Sequence, residues 1–288
     1  MAATGFLSLG LDELSALFEK VDAPFMLQLA CTATRAAAPT ATETPRSAVV
    51  ARVPLLQWAR ANGCDWDERT CRRAARRGHL AVLQWARANG CPWDQETCAW
   101  AAVGGHLAVL QWARAEGCPW NETTCEDAAR GGHLAVLQWA RANGCHWNSY
   151  TCVQAAANGH LAMLQWARAE GCDWDAWTCA QAAASGHLAV LQWARANGCA
   201  WDVQMCQVAA RNGHLAVLQW ARAEGCPWDA ETCLYAAGGG QLAVLQWARA
   251  EGCDWDRDRC AAMARHRKHY ETLAWIEAQP LGSDQESP

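Results

Sequence analysis

Lysine is almost missing from this 288-residue chain: only Lys20 and Lys268 occur, so nearly all positive charge is arginine. Basic excess is missing too. The formal charge is -5 and the pI about 6.0, which leaves nothing to neutralise a phosphate backbone and argues against a nucleic-acid partner. No uninterrupted apolar run reaches the roughly 20 residues that cross a bilayer, so no membrane partner is expected. The opening MAATGFLSLGLDEL lacks a basic leader and meets acids at Asp12 and Glu13, so it reads poorly as a secretory signal. No glycine-rich phosphate loop follows a predicted strand.

Cysteine and tryptophan, by contrast, are abundant, with 17 and 19 copies. At 52% hydrophobic residues the chain has enough apolar material for a large core and does not need the disulfides that staple short secreted chains. A reducing compartment follows, taken as the cytoplasm with the nucleus left open.

Repetition organises both residues. Trp58, Trp85, Trp112 and their successors to Trp247 recur every 27 residues, and a second tryptophan series runs at the same interval from Trp66 to Trp255. Two cysteine ladders, Cys64 to Cys253 and Cys71 to Cys260, hold 16 of the 17 cysteines. The unit GHLAVLQWARANGCPWD, residues 78–94, shows how one copy is built. Leu80, Val82, Leu83, Trp85, Ala86 and Ala88 cover most of a helical wheel, with Gln84 and Arg87 as a narrow polar stripe. Gly90 is placed for a left-handed cap and Pro92 stops the helix. Asp94, or alternatively Thr97, caps a short second element whose Cys98, Ala101 and Ala102 form a small face. Gly78 and His79 make the turn between helices, so Gly78, His79, Trp85, Gly90, Cys91, Trp93 and Cys98 are assigned to structure.

Neither helix of a pair can bury its apolar surface alone, so the units must stack. The fold class is therefore all-α: a solenoid of stacked antiparallel helix pairs with a small N-terminal helical segment. The array is expected over 44–278, after a linker at 36–43 and before a disordered tail at 279–288. Thr44 and Pro45 open an atypical front cap, and at the back Trp275 falls one residue late.

The stretch TCxxAAxxGHLAVLQWARxxG, as at Thr97 to Gly117 and Thr151 to Gly171, resembles the ankyrin repeat family over about four fifths of the chain. The resemblance implies stacked helix pairs that bind proteins. Two departures stand out. The unit has 27 residues where the family has about 33, and only seven steps separate Gly90 from Thr97, so the projecting hairpin finger is expected to be missing. Cysteine also replaces the family's proline after threonine, as at Cys71 and Cys98.

The repeated residues could carry chemistry or structure. Cys64, Cys71 and His79 are zinc-ligand types, but their spacing is loose, and Gln241 replaces the histidine while Cys226, Cys233, Cys253 and Cys260 persist. Equivalent cysteines of adjacent units are expected roughly 10 Å apart, beyond bonding distance, while a pair such as Cys64 with Cys71 stays open. The six glycine–histidine turns from His79 to His214 have no nucleophile or carboxylate unique to one copy; backbone hydrogen bonding at the turn is preferred. The tryptophans are read as inter-repeat core rather than a stacking platform. No cofactor, metal or catalytic residue is assigned. An enzyme or metal-binding protein using Cys/His pairs is the alternative from another class.

Specificity then belongs where copies differ, on or beside the first helix of each pair. Trp100, Tyr150, Trp177 and Tyr235 break the pattern as interface aromatics, and Arg69, Arg72, Arg73, Arg76 and Arg77 cluster in the first complete repeat. The expected function is a non-enzymatic scaffold that binds a protein or peptide along this strip. At the front, Leu11, Asp12 and Glu13, a leucine/phenylalanine helix, Pro24 and LQLACTATR resemble a shortened F-box over 1–35, which implies docking to a ubiquitin-ligase adaptor.

Overall fold

The structure is a computed structural model that describes residues 66–280 together with Val53. The F-box-like segment, the linker, the front cap, Cys64 and residues 281–288 of the tail lie outside the described residues. The chain divides into two compact units that meet in sequence between Cys145 and His146. In the first, the helices are α1 (Glu68–Arg76), α2 (Leu80–Ala88), α3 (Gln95–Val103), α4 (Leu107–Ala115), α5 (Glu122–Gly131) and α6 (Leu134–Ala142). In the second they are α7 (Ser149–Ala157), α8 (Leu161–Ala169), α9 (Ala176–Ala184), α10 (Leu188–Ala196), α11 (Val203–Arg211), α12 (Leu215–Ala223), α13 (Ala230–Gly238), α14 (Leu242–Ala250), α15 (Arg257–His266) and α16 (Tyr270–Ala278). Among the described residues every element is a helix and there is no strand.

The odd-numbered helices begin where the residue after tryptophan can cap them. Asp67 accepts from the Arg69 amide, Asn121 from Thr123, Asn148 from Tyr150 and Asp202 from Gln204. Asp175 and Asp229 form reciprocal capping boxes with Thr178 and Thr232. Asp94 stands at the cap of α3 but its carboxylate makes no cap bond, because it is drawn to Arg72 of the preceding repeat. The cap then leads straight into helix. Residues 91–94 have no regular structure, so the family's finger has no counterpart here.

Small residues let the odd helices approach closely. Cys98, Ala101 and Ala102 are fully buried, as are Cys125, Ala128 and Ala129 one repeat on. In the first unit α1 packs on α3 and α3 on α5; in the second α7, α9, α11, α13 and α15 follow one another in the same way. Each even helix packs against the odd helix before it and buries Val, Leu and Ala, as α4 does with Val109, Leu110 and Ala113. The buried arc is narrower than the wheel suggested: Ala88 is exposed and Trp85 only half-buried.

The tight turn between odd and even helices needs glycine for two reasons. Gly105 has φ +74°, and a Cβ there would stand 2.5 Å from Nδ1 of His133 in the next repeat. At the last turn the left-handed residue is Lys268, φ 64°, a position that a non-glycine residue rarely takes. The extra residue that delays Trp275 is absorbed just before it, in the ten-residue α15.

Candidate functional site

The repeated residues close on one another. Turn histidines reach back one repeat at several copies: His106 Nε2 lies 2.9 Å from the Arg76 carbonyl oxygen, His133 3.1 Å from Val103 O and His214 3.0 Å from Ala184 O. A carbonyl can only accept, so Nε2 carries the proton. Burial pushes the His106 pKa down, which favours the neutral ring. Gln241 instead donates to Gly239 O within its own repeat, at 2.9 Å. The sequence placed these histidines correctly at backbone, but the carbonyl they bond belongs to the neighbouring repeat.

The thiols pair across repeats as well. Cys71 meets Cys91, Cys152 meets Cys172 and Cys179 meets Cys199, all in hydrogen-bonding range and all buried. The second thiol also donates to the carbonyl of the cap residue one repeat back, as Cys118 does to Asp94 at 3.3 Å and Cys145 to Asn121 at 3.3 Å. The neighbouring thiol, and then burial, push the Cys71 pKa up, while burial takes Cys260 to about 12. The described cysteines are free and buried. No group of three or more Cys, His, Asp or Glu is arranged to hold a metal among the described residues.

The tryptophans are not core. The described members of the two 27-residue series are half-buried and pair into rungs between even helices and loops. Trp93 meets Trp112 edge-on with ring centres 5.7 Å apart, and Trp174 meets Trp193 at 5.6 Å. Arginine links one rung to the next: the Arg87 guanidinium lies 4.1 Å over Trp93 and donates to the Cys91 carbonyl at 2.5 Å. Arg222 does the same with Trp228, at 4.2 Å, and Cys226. The expected polar stripe residue Arg87 is thus a joint, which the sequence alone could not show.

On the odd helices the variable residues behave differently. Tyr150 and Trp177 occupy the same position in α7 and α9, Trp100 and Tyr235 the same position in α3 and α13. The two positions are four residues apart and so share one face. Tyr150, Trp177 and Tyr235 are 44%, 47% and 38% exposed, and the only other large exposed hydrophobic among the described residues is Tyr270. Trp100 is half-buried, with the Arg76 guanidinium 4.6 Å over its ring.

The arginine cluster is divided. Arg72 binds Asp94 through Nε at 3.1 Å and through a closer Nη2 contact, which raises its pKa and commits it to the repeat junction. Arg69 is exposed beside Asp67, at 3.9 Å, and Arg73 is half-buried. In the same unit Asp127 is nearly buried against Arg130, at 2.8 Å. Burial lifts its pKa to about 6, with Arg130 opposing and Glu96 and Glu126 adding to the lift.

No protein-family model matches this chain, and no curated protein does. Solved structures that match include the human ASB11 ankyrin repeat domain, with a TM-score of 0.49 and 17% identity over 64% of this chain and 99% of that one.

One feature of the strip was not singled out from sequence. In the second unit an open cavity of about 280 Å³ lies across α11, α13 and α15. Its floor is Leu234, Tyr235 and Met263, and its charged rim is Arg211, Glu231, Arg259 and Arg267. The signal was present in the comparison of copies: Gly238 stands where Arg211 and Arg130 stand in other repeats.

Proposed function

We propose that this chain is a non-enzymatic protein-binding scaffold whose partner, a protein or peptide, lies along the odd-helix strip of a unit. One observation carries the reading: three aromatics that break the repeat, Tyr150, Trp177 and Tyr235, stay exposed while the described repeat tryptophans are tied into rungs. An aromatic side chain left open on a rigid helix offers large apolar area at little entropic cost, which is what an interface anchor requires. Cytoplasmic placement agrees with free, buried thiols and with the absence of any helix long and apolar enough to cross a membrane among the described residues. A photo-crosslinking amino acid placed at position 177, and in a second sample at Gln192 on the opposite face of α10's repeat, tests the reading in cell extract. Discrete adducts from 177 and none from 192 are expected. Identical adduct patterns from both positions contradict the assigned face.

A further inference from the structure

The second unit's cavity is lined by residues that the repeat does not reproduce. Two grooves between rungs, by contrast, carry the same residue types: Gln84, Arg87, Trp93 and Trp112 in one copy, Gln219, Arg222, Trp228 and Trp247 in another. Those arginines are already committed to ring faces. In the cavity the situation is reversed. Only Arg259 is paired, to Glu231 at 2.7 Å, whereas Arg211 and Arg267 have no carboxylate partner among the described residues. Both are exposed.

Three arginines against one glutamate leave a positive rim on a chain whose formal charge is -5. The floor beneath is apolar. Leu234 is 8% exposed, and Tyr235 presents its ring at 38%. Space exists because Gly238 has no side chain; a Cβ there would stand 2.9 Å from Cγ of Met263. At about 280 Å³ the cavity falls just below the usual range of small-molecule sites, and it suits one or two side chains of an extended segment better than a cofactor.

We propose that this cavity receives an acidic peptide segment of the partner, with a carboxylate against Arg211 and Arg267 and a neighbouring apolar side chain over Tyr235 and Met263. This rests on the protein-binding reading above. Arginine's planar fork matches a carboxylate bidentately, and the low-lying apolar floor reduces screening of the pair. The Glu231–Arg259 pair borders the cavity and excludes a second carboxylate from that side.

The probe is a short fluorescein-labelled oligoglutamate carrying one internal leucine, with an oligoglutamine counterpart of equal length, titrated into the full chain by fluorescence polarisation. Saturable binding of the glutamate peptide is expected, weakening several-fold as salt rises because the contacts are partly exposed. The double variant Arg211→Gln/Arg267→Gln should weaken binding about tenfold or more. Gln165→Glu/Gln192→Glu, which changes net charge by the same amount on exposed even-helix positions, should leave it unchanged. Tyr235→Ala should weaken the leucine-bearing peptide more than one without leucine. Binding that is equal for the glutamine peptide, or unaltered by the arginine replacements, overturns the proposal. Loss of crosslinks at position 177 would instead remove the strip itself, so the two failures are told apart.

Discussion

Within the second unit two faces are rich in aromatic residues, and they treat them oppositely. Along the even helices Trp166, Trp193, Trp220 and Trp247 each meet a loop tryptophan edge-on, and arginines lie over the loop rings. Along the odd helices Tyr150, Trp177 and Tyr235 stand open. The difference teaches that an aromatic ladder is not itself a binding surface. Regular spacing lets every ring find the same partner in each copy, whereas a residue present in one copy has no matching partner built for it. Predicted function follows the irregularity.

The strongest way to break the regular side is at its turns. Gly105→Ala combines a left-handed backbone with a ring of the next repeat 2.5 Å from the new Cβ. Gly117→Ala, φ +81°, has the same backbone problem but nothing within 4 Å. Loss of about 2–4 kcal/mol is expected for Gly105→Ala against about 1 kcal/mol for Gly117→Ala, measured by urea unfolding. Equal losses would show that the histidine contact does not hold the repeats together. At the last described turn the left-handed place is taken by Lys268, φ 64°, so the backbone alone does not demand glycine there.

A smaller effect with the opposite sign is expected on the irregular side. The Asp127 pKa is lifted by burial to about 6, above its ordinary 3.8, so its contribution to stability is full below about 3.8 and is lost as pH rises through about 6. Asp127→Asn keeps the uncharged shape. It should be more stable than the parent by roughly 1–3 kcal/mol at pH 7.5 and equal to it near pH 4, in parallel thermal melts. A variant less stable than the parent at pH 7.5 would mean that the Arg130 pair outweighs desolvation.

Smallest is Thr124→Val. The Thr97, Thr124 and Thr151 hydroxyls are buried without a hydrogen-bond partner, and Met205 occupies the corresponding place in α11. The change should be neutral or stabilising by up to about 1 kcal/mol, because an unsatisfied hydroxyl leaves the interior. Destabilisation beyond that would reveal a partner for the hydroxyl.

Much of this architecture was legible in residue order. Gly78 and Gly90 mark their turns, Asp94 the cap position of α3, although its carboxylate goes to Arg72 instead of the cap, and the short span from Gly90 to Thr97 the missing finger. What stayed hidden lies between repeats. The His106–Arg76 bond, the Cys71–Cys91 approach and the Arg87–Trp93 stack depend on how far one repeat rotates over the next, and a 27-residue period does not state that rotation. For the same reason the spacing places tryptophan in the core, whereas alanine and cysteine pack the odd helices too closely to admit a ring and the repeat tryptophans stay half-buried along the even helices. The cavity was missed because it arises from a side chain that is absent, at Gly238, rather than from one that is present.

Aromatic residues here divide into those that build and those that bind, and paired thermal unfolding tests that division most directly. Trp166→Ala/Trp193→Ala removes two rungs and should cost about 3 kcal/mol or more. Tyr150→Ala/Trp177→Ala removes two open rings and should stay within about 0.5 kcal/mol of the parent. Comparable losses from the two pairs would contradict it, and would return Tyr150 and Trp177 to the structure of the stack.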